Sequence, residues 1–141
     1  MYLKTTYAAL VKAFGKPNEW DARNDAECKP YIDARKSAYG ASVSWDGKVV
    51  VEWLLRFDPS DSDEAFAPCG TKAGDYLRVY DYKATKAYEN YPECVDSIEQ
   101  VDEWHLAYSA NHRVNPPVEI AEALVAYINA KNGAEVARIE P

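Results

Sequence analysis

The chain has 141 residues, 48% of them hydrophobic and 28% charged, enough for one domain whose core removes roughly two-thirds of the extended chain's surface from water. No apolar run approaches the roughly 20 residues needed to cross a bilayer, and a net charge of −7 repels phosphate backbones, so a membrane span and direct nucleic-acid binding are both disfavoured. The same charge suits basic protein surfaces, including grooves that otherwise hold nucleic acid.

Residues 1–7 lack the basic region, apolar stretch and small-residue cleavage site of an export signal, and a cytoplasmic setting is expected. Thr5 or Thr6 caps a first helix whose apolar residues Tyr7, Leu10, Val11 and Phe14 fall at i, i+3, i+4 and i+7, the spacing of a single buried stripe. Gly15 and Pro17 stop it. Residues 18–36 have poor periodicity and read as an irregular excursion, with a short helix conceivable over 31–38. Ala41 to Trp45 alternates apolar and small polar residues, and Asp46-Gly47 is a two-residue turn signal, so a hairpin over 41–57 is predicted. Residues 58–74 are polar, acidic and broken by Pro59, Pro68, Gly70 and Gly74, which predicts a surface connection.

Residues 76–83 are aromatic and β-branched and predict a strand, with Tyr76, Arg78, Tyr80 and Tyr82 on one face and Leu77, Val79 and Asp81 on the other. Val95, Ile98 and Val101 have the spacing of a short helix, and Trp104 to Tyr108 reads as a returning strand. Asn115 caps a last helix opened by Pro116 and Pro117, carrying Ala121, Leu124, Val125 and Ile128 on one side and ending near Asn132-Gly133. Residues 134–141 are expected to form a flexible tail beyond a single domain over 1–133. The order of elements predicts an α+β fold, a mainly antiparallel sheet of about four strands with the N- and C-terminal helices on one face and the other face partly open.

No catalytic constellation stands out. His105, between Trp104 and Leu106 and beside Asp102 and Glu103, has the neighbours of a general base or a metal ligand, and equally those of a half-buried strand histidine. His112 is the only other histidine, and Cys28, Cys69 and Cys94 lack the paired spacing of a zinc site, so neither a metal nor any other cofactor is expected and the thiols read as reduced. The acids at Asp58, Asp61, Asp63 and Glu64 lack the glycine and distal glutamate of a calcium loop. Gly70 to Gly74 lacks phosphate-loop spacing. A second acidic stretch, Glu89, Glu93, Asp96, Glu99, Asp102 and Glu103, follows a tyrosine-rich strand, a composition suited to a basic partner as well as to a solvated surface.

Four short pieces carry a resemblance: Thr6-Tyr7-x-x-Leu10-Val11-x-x-Phe14-Gly15-x-Pro17, then Val51-Glu52-Trp53, then Val79-Tyr80-Asp81-Tyr82-Lys83, and Glu103-Trp104-His105-Leu106. Together they resemble a group of small, uncharacterised proteins of tailed bacteriophages. The chain departs from that pattern at Leu106-Ala107-Tyr108, where an isoleucine and two glycines are expected, and by insertions over 18–40 and 58–75. The resemblance implies a phage accessory protein in the host cytoplasm and supplies no reaction.

The expected function is a non-enzymatic accessory protein that binds and inhibits a host protein with a basic surface, such as a nucleic-acid-handling defence complex, in the manner of an anti-CRISPR. The expected contacts are Tyr80, Asp81, Tyr82, Glu99, Asp102 and Glu103. One alternative is a nucleotide or small-molecule binder using Tyr82, Lys83, Trp104 and His105. Another is a virion or replication accessory subunit, and a homodimer through an exposed sheet edge is also open.

Overall fold

The computed structural model describes residues 1–17, 48–58, 60, 65–68, 76–86, 88–108 and 114–141. In chain order these give β1 (Tyr2–Lys4), α1 (Tyr7–Phe14), β2 (Glu52–Phe57), β3 (Phe66–Pro68), β4 (Leu77–Tyr80), a 3-10 turn at Ile98–Gln100, β5 (Glu103–Tyr108), α2 (Val118–Asn132) and β6 (Arg138–Glu140). The strands form one open sheet of six in the order β3-β2-β4-β5-β1-β6, with every adjacent pair antiparallel. The fold is α+β as predicted, with six strands rather than about four.

α1 begins where the sequence places it. Thr6 is extended and its hydroxyl accepts the Ala9 N–H at 3.1 Å, satisfying a donor that the first helical turn leaves without a partner. Gly15 closes the helix at φ +79°, its N–H donating to the Val11 carbonyl at 2.7 Å. α2 starts after Pro117, whose carbonyl accepts from Ile120 and Ala121 at 3.0 Å each; the expected cap at Asn115 is displaced because Pro116, which would be the first helical residue, precedes Pro117 and is driven out of the helical region. Its other end matches expectation, with Gly133 in the left-handed region at φ +68°.

Period-two alternation divides the sheet into two faces. Leu3, Trp53, Leu55, Leu77, Val79, Trp104 and Leu106 point to one side and form a single core with Leu10 and Phe14 of α1 and Leu124 and Ile128 of α2, which places both helices on that face. The Trp53 and Trp104 rings meet edge to face, with centroids 5.5 Å apart. Trp53 Nε1 donates to the Gly15 carbonyl and Trp104 Nε1 to the Thr5 carbonyl, each at 3.1 Å, so two indoles hold α1 at both ends.

The opposite face is less open than predicted: Glu52, Leu54, Arg78, Tyr80 and Ala107 are all buried on it. Two other expectations change. Within the connection expected over 58–74, Phe66–Pro68 forms β3, because Phe66 is buried and pairs in register with Phe57, ring centroids 4.8 Å apart. In place of a flexible tail, residues 138–140 pair with β1 as β6, and the Asn129 side chain holds the approach by accepting the Val136 and Ala137 N–H groups at 2.8 Å each. The excursion over 18–36, the Asp46-Gly47 turn, His112, Cys28 and Cys69 lie outside the described residues.

Candidate protein-binding surface

The residues at the end of β4 divide sharply. Tyr80 is 6% exposed, packed with Val49 and Ala107 and lying under the Arg78 guanidinium at 4.7 Å. Asp81 is 0% exposed, and its carboxylate accepts the Val51 N–H at 2.8 Å and the Val50 N–H at 3.0 and 3.1 Å. Burial pushes its pKa up to about 7, against the pull of those backbone donors, with the Glu52 charge adding to the rise. Both side chains support the fold, which corrects the expectation that Tyr80 and Asp81 meet a partner. Asp81 fastens the segment leading into β2, with help from the Lys83 N–H donating to the Lys48 carbonyl at 2.7 Å.

Tyr82, two residues beyond the strand, is 41% exposed. It stands 5.3 Å from His105, edge to face. His105 also receives the Tyr2 ring at 4.9 Å and the Tyr80 ring at 5.6 Å, so three phenols surround the imidazole. The cross-strand register explains the meeting, since Tyr2 and Tyr80 are the two residues directly opposite His105. Burial lowers the His105 pKa, the Glu103 carboxylate opposes that, and the chain's amino terminus adds to the lowering.

Glu103 lies beside this cluster, paired with Lys4 at 3.3 Å across β5 and β1. Glu99 and Asp102 precede it and are exposed. Of the six expected contact residues, Tyr82, Glu99, Asp102 and Glu103 are therefore accessible. Trp104 is 0% exposed in the helix-covered core, on the face opposite His105, because successive strand residues point to opposite sides. Trp104 and His105 accordingly cannot line one pocket, and only Tyr82, Lys83 and His105 of the alternative site share a side.

Next to Tyr80 is a buried ion pair, Arg78 Nε with the Glu52 carboxylate, between β4 and β2. The run Lys48 to Phe57 and the alternation in β4 indicate neighbouring strands, but nothing local in the sequence announces this pair. Among the described residues, no three His, Cys, Asp or Glu side chains gather as a metal site, and no helix is long and apolar enough to cross a membrane. Comparison of the chain with family models, with curated proteins and with solved structures finds no match.

Proposed function

We propose that the chain is a non-enzymatic accessory protein of the phage type that binds and inhibits a host protein through an acidic, tyrosine-bearing surface, the partner being a nucleic-acid-handling defence complex with a basic groove. The observation that carries this reading is the exposure of both Tyr82 and Glu103 next to His105, with Glu99 and Asp102 exposed just upstream. Tyrosine contributes large contact area at little rotamer entropy. Carboxylates steer and register a basic partner, taking the place of phosphates in its groove. The buried Arg78, paired with Glu52, packs on Tyr80, which in turn touches Tyr82 and His105, an arrangement that favours a preorganised surface.

Affinity capture from host cells identifies the partner. The triple variant E99K/D102K/E103K is expected to bind that purified partner more weakly by at least about tenfold, and with a flatter salt dependence. Unchanged affinity overturns the reading.

The three-ring shell around His105 is the remaining support for the alternative, a nucleotide or small-molecule binder using Tyr82, Lys83 and His105. A thermal-shift screen with nucleotides separates the two, since a ligand at about 100 times its Kd adds about 2.7 kcal/mol of stability.

A further inference from the structure

Beyond Tyr82 the chain makes a loop closed at its neck. Lys83 turns it with φ +56°, a positive value that no other described non-glycine residue takes. The Val95 N–H donates to the Ala84 carbonyl and the Lys86 N–H to the Val95 carbonyl, both at 2.9 Å, while the buried Cys94 thiol donates to the Lys83 carbonyl at 3.6 Å. The Cys94 N–H also bonds the Tyr91 carbonyl at 3.0 Å, folding the distal side of the loop. Loops whose ends are pinned in this way are compact units.

The loop carries a ladder of rings onto the surface. The Lys83 ammonium lies 5.2 Å from the Tyr82 ring and 5.3 Å from the Tyr88 ring. Tyr88 in turn meets Tyr91 edge to face at 6.5 Å, and Tyr91 is 49% exposed. From His105 the sequence of groups is therefore ring, ring, cation, ring, ring. Around it acids outnumber cations: residues 82–103 hold six acids against two lysines, Lys83 within the ladder and Lys86, which Asp96 engages at 2.9 Å. Such a field opposes phosphate or carboxylate ligands and favours cations. Guanidinium fits both components, since it stacks on phenol faces and bonds carboxylates in a planar fork, whereas ammonium is a hydrated point charge.

We infer that the Tyr82–Tyr91 ladder is the anchor of the docking surface and that its occupant is an arginine-bearing segment of the partner, stacking on Tyr82 and Tyr91 and pairing with Glu89 and Glu93. This rests on the reading of the chain as a binder of basic protein surfaces, and adds where the anchor lies and that it selects arginine over lysine.

The test titrates the full chain calorimetrically with a dodecapeptide of alternating arginine and glycine, and with its lysine counterpart. The same titrations are made on Y82A/Y91A and on E99K/D102K/E103K. The arginine peptide is expected to bind the unaltered chain about fivefold or more tighter than the lysine peptide. Y82A/Y91A is expected to lose about tenfold in affinity for it with only a small fall in melting temperature, because both rings are about half exposed. Failure of the arginine peptide to bind, equal affinity for the two peptides, or no effect of Y82A/Y91A overturns the inference. If the acidic triple variant still weakens the arginine peptide while Y82A/Y91A does not, the ladder falls and the acidic-surface reading stands; if neither variant matters, both fall.

Discussion

At Asp81 a residue that looks like a surface acid becomes the fastening of a backbone segment. Alternation along residues 76–83 predicts which side each residue takes, but not how deep it sits, because the amides that receive the Asp81 carboxylate lie 30 and 31 positions earlier in the chain. The energetic consequence has a definite sign. Its folded pKa is raised from 3.8 to about 7, so between those values the folded state holds the proton more tightly than the unfolded state, and the Asp81 contribution to stability falls as pH rises through that window. His105 acts oppositely: its folded pKa is lowered from 6.5, so acidification below that value costs stability. Urea unfolding of Asp81→Asn beside the unaltered chain isolates the Asp81 share. The difference in stability between the two is expected to shift in favour of Asp81→Asn as pH rises from about 4 to about 7, and a difference independent of pH contradicts the assignment. The Glu52–Arg78 pair makes a second prediction at this scale. Removing one partner of a buried pair strands the other charge, so Arg78→Ala is expected to cost about 3–5 kcal/mol in denaturant unfolding.

Elements with long local patterns are legible in the sequence; those made by three residues are not. α1 shows its stripe, cap and stop within Thr6 to Pro17, and α2 shows its C-terminal glycine. β4 and β5 are recognisable as runs of β-branched and aromatic residues, although the last residues read as strand, 81–83, leave the ladder to fasten β2 and open the loop. β1, β3 and β6 each span three residues, too few for a period to register, and their pairing is decided by partners elsewhere in the chain. For β6 the deciding interactions are the register with β1 and the Asn129 side chain, which also donates to the Ala137 carbonyl at 3.3 Å. Two substitutions test this. Asn129→Ala leaves the two N–H groups without that acceptor and is expected to cost about 1–2 kcal/mol. Ile139→Ala, which removes a side chain packed against the main core, is expected to cost about 1–2 kcal/mol because the site is only partly buried. A flexible tail would tolerate both without a change in the unfolding midpoint.

For the whole molecule, the division between a helix-covered core and a second face with a buried ionic centre separates the side chains that hold the fold from those left exposed, Tyr82, Glu99, Asp102 and Glu103. The candidate surface was legible in composition, since tyrosines and acids are concentrated between residues 76 and 103, but its membership was not. The structure removes Tyr80, Asp81 and Trp104, which are buried, and brings Tyr2, Tyr88 and Tyr91 into the same run of rings through strand register and a pinned loop. Sequence proximity alone does not separate Tyr80 from Tyr82, whose different exposures follow from where the strand ends. Docking of this acidic, aromatic surface on a basic protein surface is the proposal that salt tests. The most direct measurement is the affinity of the unaltered chain for its captured partner as salt is raised from 0.1 to 1 M, which shortens the Debye length from about 10 Å to about 3 Å. A loss of at least about tenfold in affinity is expected, carried mainly by a slower association rate; an affinity that does not change with salt contradicts the proposed docking.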